Sequence, residues 1–478
     1  MTTAVGAFVL TAGIVTQATD GRLAAGSSDQ SFESVSTDSR TVGQGALFIA
    51  LRGERFNGHA FVGDVIARGA AGVVIEASEL SAVRDAIAAG GSTPVIVAVS
   101  DTLVALQALG QDVRRRSGAR VVAITGSAGK TTTKEVTADL LASRYQVFRN
   151  KGNLNNHIGL PLSLLELRHG PDVAVVELGM NHAGEIRMLV GIAEPDVRVW
   201  INVGDAHIGH FGSREALADA KAEILEAATS STVVVAAADD PLVMARVATF
   251  QGRVITFGEA GGAAVRATAI VDRGFDGTTA EVETSAGTLH LSVPLAGHAQ
   301  LSNVLAAVAV AVEFQVPAAS IENRVSALRP VARRGASTML ANGARLIDDS
   351  YNASPAAVRA MLAALGATPV LGRRIAVLGE MLELGASAHG LHAACGLTAA
   401  TSGLDELVVV GGAAADGLVD GALAGGFPAE HIHRFADSAS ARDAVAALVG
   451  PRDIVLVKGS RGTRTDLIAD HLIGRADA

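Results

Sequence analysis

Short runs of β-branched and apolar residues, each closed by Gly or a polar turn, alternate along this chain with segments of helical length. In the stretch up to about Gly118, the runs Ala46-Leu47-Phe48-Ile49-Ala50 and Ala71-Gly72-Val73-Val74-Ile75 predict strands set among helices. A cleaner rhythm follows. Val121-Val122-Ala123-Ile124-Thr125 reads as a buried strand, a Gly-rich turn comes next, and Thr131 to Leu141 is amphipathic. Further strand-like runs cover residues 173–177, 199–203, 233–236 and 254–257, and beyond Pro330 to Gly335 the pattern restarts at 374–378, 407–410 and 454–457. Continuous apolar strands separated by helices predict a mostly parallel sheet covered on both faces. The fold class is therefore α/β in three domains: a small N-terminal α/β domain over residues 1–115, a central P-loop-type domain over 116–335 and a C-terminal Rossmann-like domain over 336–478. The basic run Arg114-Arg115-Arg116-Ser117-Gly118 reads as the first linker.

Composition narrows the function. A chain of 478 residues exceeds one compact core, and 49% hydrophobic against 18% charged residues excludes a largely disordered protein. Lys plus Arg number 39 against 48 Asp plus Glu, a net charge of −9 that argues against a nucleic-acid partner but leaves room for anionic small substrates. Cys395 is the only cysteine, so no intrachain disulfide forms and a reducing compartment is expected. The longest apolar stretch, Val304 to Val312, is too short to span a membrane. Ala4 to Val15 has no Lys or Arg before it, and is read as a helix or strand edge of the first domain rather than a leader. A cytoplasmic protein with no membrane span is expected.

The strongest chemical signal is Thr125-Gly126-Ser127-Ala128-Gly129-Lys130-Thr131-Thr132-Thr133, between a strand and a helix. Glycines let backbone N–H groups approach phosphate oxygens, and the helix N-terminus adds partial positive charge. Lys130 is placed to reach terminal phosphates and the Thr131 hydroxyl to ligate Mg²⁺. Ile124 stands where the longer form of this motif carries its first Gly. Glu177 and His207 follow two other strands. Either alone reads as a structural residue. Because ligands gather at the carboxyl ends of parallel strands, Thr131, Glu177 and His207 are expected to converge on one metal-nucleotide site. Lys221, in a helical stretch, reads by itself as a surface lysine. The run Asn153-Leu154-Asn155-Asn156-His157-Ile158-Gly159-Leu160-Pro161 offers amides suited to a polar substrate.

Taken together these elements resemble the Mur ligases, ATP-dependent amide-forming enzymes of peptidoglycan precursor synthesis. The likeness has landmarks in all three domains: Asp38-Ser39-Arg40 and residues 51–59 in the first; the phosphate loop, the asparagine run, residues 176–180 and 207–213 in the second; residues 347–355, 377–385 and 457–461 in the third. The third-domain segments are similar to the branch that adds D-alanyl-D-alanine to UDP-N-acetylmuramoyl-tripeptide through an acyl phosphate. The resemblance implies that Gly126, Ser127, Ala128, Gly129, Lys130, Thr131 and Thr132 hold ATP phosphates. It places Asn303 toward adenine, Arg334 toward the phosphates and Asp349 toward ribose. It also implies two Mg²⁺ ions, one on Thr131 and Glu177 and one on His207 and a carbamylated Lys221. Lys130, Glu177, His207 and Lys221 would be the catalytic set. Ser39 and Arg40 would meet the UDP-sugar, Asn153 and Asn156 the peptide, and Asn352, Lys458 and Ser460 the incoming dipeptide. A monomer is implied.

Some positions depart from the family pattern. Ala299 and Gln300 stand where His-Asn is frequent, Asn57 where Asp is, Ser354 where Asn is, and Ala237 where Asn is. Two other readings stay open at this point: a sister ligase adding one amino acid, and a nucleotide switch that hydrolyses ATP to change shape.

Overall fold

The computed structural model describes residues 6–53, 56–88, 93–205 and 208–474, and within them three sheets follow one another along the chain. The first has five strands in the order Arg22–Ala25, Val95–Val99, Gly72–Glu76, Leu47–Ile49, Val35–Ser36, parallel except at its Arg22–Ala25 edge. The third has six, in the order Ala336–Met339, Arg345–Asp349, Ile454–Lys458, Arg374–Gly379, Glu406–Val410, Ile432–Phe435, parallel except at the first pair. The mostly parallel α/β architecture expected from the apolar runs is the one observed.

The nine-stranded central sheet positions the site. Arg120–Thr125 lies between Val173–Glu177 and Val197–Trp200 and is parallel to both. All three are buried on both faces, which is why their sequences run apolar without alternation. From Arg120–Thr125 the chain first fills one side of the sheet, with Val147–Arg149 and Val173–Glu177, then crosses to Val197–Trp200, Val233–Ala237 and Arg253–Gly258. The strand order thus reverses beside the carboxyl end of Arg120–Thr125, the place where open parallel sheets bind ligands.

Three strands beyond this, Val265–Asp272, Thr278–Thr284 and Gly287–Val293, form an antiparallel ribbon at the sheet's edge. Their burial alternates, with one face on the core and one in water, so a search for continuous apolar runs passes over them. The apolar run from Val304 lies in the helix His298–Glu313, wrapped by sheet and helices and buried almost all round. Among the described residues no helix is long and apolar enough to cross a membrane. The apolar N-terminal stretch leads into the helix Ala12–Ala18, started by Thr11, whose hydroxyl accepts from the Ile14 N–H.

The basic run read as a linker is the last turn of a long helix, Thr102–Ser117. Asp101 caps its start, and Gly118 ends it in a left-handed conformation at φ 64°. Its arginines complement the negative end of the helix dipole and pair with Asp196 (Arg114, 2.9 Å), Glu194 (Arg115, 2.5 Å) and Asp112 (Arg116, 2.5 Å). This helix joins the first sheet to the central domain through one continuous apolar core.

The third domain meets the middle one through close backbone approaches. At Gly274, φ is +61° and a Cβ would lie 2.1 Å from the Ala364 carbonyl oxygen. The next N–H, of Phe275, donates to Thr368 Oγ1 at 2.8 Å, and Arg345 pairs with Asp276 at 2.6 Å. Gly274→Ala therefore combines left-handed strain with steric overlap. It is expected to cost about 2 kcal/mol or more, read as a lower thermal midpoint and faster proteolysis between the two domains.

Candidate functional site

The loop after Arg120–Thr125 is shaped by two glycines. A Cβ on Gly126 would lie 2.3 Å from Ile201 Cγ1, and one on Gly129, at φ +84°, would lie 2.1 Å from Asn303 Oδ1. Only glycine lets the backbone run this close to its neighbours. The loop then enters the helix Lys130–Leu141, with the amide-rich helix N-terminus at its mouth.

Asn202, just past the end of Val197–Trp200, clamps the loop. Its Oδ1 accepts from the Ser127 and Ala128 N–H groups at 2.9 and 3.0 Å, and its Nδ2 donates to the Ala128 carbonyl at 3.0 Å. Lys130 Nζ folds back to donate to the Gly126 carbonyl at 2.9 Å. Across the loop, the Thr131 hydroxyl donates to Glu177 Oε2 at 2.9 Å. Glu177 is 5% exposed; its Oε1 accepts from Asn155 Nδ2 at 2.9 Å, and its backbone N–H donates to Asn150 Oδ1 at 3.2 Å. Lys134, buried beneath, donates to the Asn150 carbonyl at 2.5 Å and so ties this support to the loop's own helix.

Lys221 is 2% exposed and has no hydrogen-bond or ion-pair partner among the described residues, so it is not the surface lysine its neighbours in sequence suggest. Burial drives its pKa well below the ordinary value of 10.5, and the positive charge of Lys130 pushes the same way. Lys130 is itself lowered, first by burial and then by Arg334, with Glu177 opposing. Lys130, Lys221, Glu177 and Arg334 thus share one electrostatic neighbourhood. His207 lies outside the described residues. Among the described residues no three His, Cys, Asp or Glu side chains gather as a metal cage. The hydroxyl and carboxylate of Thr131 and Glu177 are nonetheless hard oxygen donors of the kind Mg²⁺ takes, and a buried amine with a lowered pKa is the kind that forms a carbamate.

The remaining expected residues fall in five places. Asn303 sits behind the loop, its Oδ1 accepting from the Thr133 hydroxyl at 3.3 Å and its Nδ2 donating to Gln300 at 2.9 Å. Thr132, Gln300 and Arg334 line a cleft with the apolar Val136, Leu295, Leu328 and Val331. In the third domain, Lys458 pairs with Asp349 at 2.5 Å and donates to the Asn352 carbonyl at 2.9 Å. Burial pushes the Asp349 carboxyl up against the pull of Lys458. Ser460 is buried and accepts from the Leu382 N–H at 3.0 Å, fixing the 380–385 turn rather than opening to solvent. In the asparagine run, Asn153 is exposed, while Asn156 starts the helix Gly159–Leu164 by accepting from the Ile158 and Gly159 N–H groups. In the first domain Arg40 is 86% exposed and pairs with Asp38 at 2.7 Å, holding that carboxyl down at about 2 through its side chain and backbone N–H; the Ser39 carbonyl accepts from Arg68. Asn150, Asn155 and Asn202, which hold Glu177 and the loop, were not among the expected site residues. Asn155 was within the quoted run, whereas Asn202 had no signal beyond its place after a strand.

Three family models match the chain in order: the Mur ligase family catalytic domain over residues 31–115, the Mur ligase middle domain over 124–311, and the Mur ligase glutamate ligase domain over 333–461. Curated proteins named UDP-N-acetylmuramoyl-tripeptide--D-alanyl-D-alanine ligase are similar throughout. That of Bacillus subtilis is 31% identical, covering 92% of this chain and 93% of the relative, and that of Escherichia coli is 32% identical, covering 93% and 94%. Among solved structures, MurF from Acinetobacter baumannii superposes with a TM-score of 0.86 at 31% identity, covering 98% of this chain and all of that one. MurF ligase from Thermotoga maritima in complex with ADP gives 0.80 at 28% identity, covering 92% and 97%.

Two outcomes are expected from the geometry. In the unfolded chain Lys221 is protonated up to its ordinary value of 10.5, whereas the folded protein holds it with a lowered pKa, so folding releases a proton and stability rises with pH between those values. Lys221→Met should therefore raise the thermal midpoint at pH 7 in carbon-dioxide-free buffer, the gain shrinking toward pH 10. Asn202→Ala should weaken ADP binding about tenfold, the worth of one well-placed polar contact, with little change in thermal midpoint; calorimetric titration reads it.

Proposed function

The chain belongs to the Mur ligase family of ATP-dependent, ADP-forming ligases, and from that premise we propose that it joins D-alanyl-D-alanine to UDP-N-acetylmuramoyl-tripeptide in peptidoglycan precursor synthesis. The observation that carries the catalytic reading is the meeting of Thr131 and Glu177 at 2.9 Å beside Lys130 and the buried Lys221, which has no partner among the described residues. The choice of substrates rests on the names of relatives that match over nine-tenths of their length and ours.

A carboxylate is a poor electrophile, so the tripeptide's terminal carboxylate first attacks the γ-phosphorus of ATP, giving an acyl phosphate and ADP. The amine of the dipeptide then adds to the activated carbonyl, and the tetrahedral intermediate expels phosphate. Two anions must approach in the first step. Lys130 and Arg334 lower that barrier by placing positive charge where the transferring phosphoryl group gains negative charge. Thr131 and Glu177 would hold one Mg²⁺, and Lys221 with His207 a second; bound there, the ions supply charge neutralisation. Lys221 suits that role as a carbamate: its neutral Nζ adds to carbon dioxide and loses a proton, leaving an anionic oxygen ligand. Ser39 and Arg40 would meet the UDP-sugar, Asn153 and Asn156 the peptide, and Asn352 and Lys458 the dipeptide. Asn303 and Ser460 act by supporting the loops in front of them. The protein works as a cytoplasmic monomer.

Phosphate release should depend on both the UDP-peptide and D-alanyl-D-alanine, with a pentapeptide product by mass. Release without the dipeptide, or with a single amino acid in its place, would point to a switch or a sister ligase. Lys221→Ala should lose activity about a hundredfold or more and regain part of it with acetate; full activity in the plain variant sinks the carbamate.

A further inference from the structure

Arg333 stands where the middle domain hands over to the third, and its backbone is left-handed at φ +59°. For a residue with a Cβ that conformation is costly and persists only where the surroundings over-determine it. Here two carboxylates of the last helix, Asp466–Ile473, supply the constraint: Arg333 reaches Asp466 at 3.1 Å and Asp470 at 2.7 Å. The Arg333 carbonyl also accepts from the Tyr351 N–H at 3.1 Å. The next residue, Arg334, lays its guanidinium over the Tyr351 ring with 4.1 Å to the centroid. Arg334 nevertheless lines the cleft whose far wall is Thr132 and Gln300 of the middle domain, and its charge is felt by both Lys130 and Asp349.

We propose that Arg333 is a positioning residue that fastens the nucleotide-facing Arg334 to the third domain. The left-handed turn at Arg333 sets the direction in which Arg334 leaves the backbone, and the ion pairs with Asp466 and Asp470 hold that turn. Tyr351, also of the third domain, fixes the guanidinium's plane. The grip of Arg334 on a nucleotide in the cleft is therefore set by where the third domain sits. The inference deepens the ATP-ligase reading and rests on it.

Arg333→Gly separates the two roles of the residue, because glycine keeps the left-handed backbone without strain and loses both ion pairs. The variant should fold, with KM for ATP raised about tenfold and KM for D-alanyl-D-alanine unchanged. The affinity for ADP, titrated calorimetrically with magnesium, should fall by the same factor. A variant carrying Asp466→Asn and Asp470→Asn should match it, and the combination of all three changes should be no worse than either. Wild-type ADP affinity in Arg333→Gly, or losses that simply add, would overturn the proposal, since a merely structural residue lowers the thermal midpoint without moving nucleotide affinity. Should Arg333→Gly not fold, the aspartate variant decides the matter through the same titration. Failure of the wild-type protein to release phosphate with both substrates would count against the ligase reading instead, and the ADP titration is independent of it.

Discussion

Thr131 and Glu177 reach each other because two parallel strands end at the same height. Ile124 of Arg120–Thr125 lies opposite Glu177 in the register, so the carboxylate is delivered beside the first turn of the helix that follows the loop. A slip of one residue would turn Glu177 to the other face of the sheet and leave a buried carboxylate without a partner. Register in turn is fixed by the apolar side chains that both strands bury on both faces. The candidate site is thus a product of core packing: the same Val and Ile residues that make the strands bring the hydroxyl and carboxylate to hydrogen-bonding distance.

Charge is concentrated against the trend of the whole molecule. The chain carries a net −9, yet Lys130, Lys221, Arg334 and Lys458 gather where the middle and third domains face each other. Burial makes each of the three lysines expensive, and the protein resolves this differently at each one. Lys458 is paired with Asp349, Lys130 is partly offset by Glu177, and Lys221, with no counter-charge among the described residues, has its pKa driven well down by burial. A pocket lined in this way attracts phosphate and carboxylate groups.

Much of this is legible in the sequence. The phosphate loop carries its own signature, and Glu177 follows from reading where a buried strand ends. Asn202 and Asn150 were not legible, because they act across gaps of 75 residues (Asn202 to Ser127) and of 16 and 27 residues (Asn150 to Lys134 and Glu177) closed only by the fold, and an isolated Asn after a strand has no distinguishing neighbour. The triple arginine looked like a linker because composition was weighed without the acids it would meet; Glu194 and Asp196 are about 80 residues away in sequence. Lys221 shows the opposite failure. Its neighbours Asp219 and Glu223 suggest a solvated helix face, but Glu223 is buried, caps the turn at Gly184, and leaves the lysine inside. The antiparallel ribbon after Val265 was missed through its period of two.

The two domain seams are built differently, and the difference bears on how the site is completed. The first and middle domains share one apolar core and a continuous helix, so moving one against the other would expose buried hydrocarbon. The third domain has one core to itself, and its second takes in Phe275 and Ala296 of the middle domain; the rest of the seam is mainly backbone approaches and ions: Gly209 against Gly385, Asp205 with Arg359 at 3.5 Å, and the turn at Gly274. Contacts of that kind exchange for water more readily than a large shared core does, so rotation is less opposed at this seam than at the first. Lys130 and Glu177 lie on one side of it, and Asp349 and Lys458 on the other, with Arg334 between them. A site divided along its weakest seam can admit three substrates while apart and exclude water from a reactive acyl phosphate when together. The fold that aligns strand ends in the middle domain therefore does only half of the positioning; the other half is left to where the third domain sits.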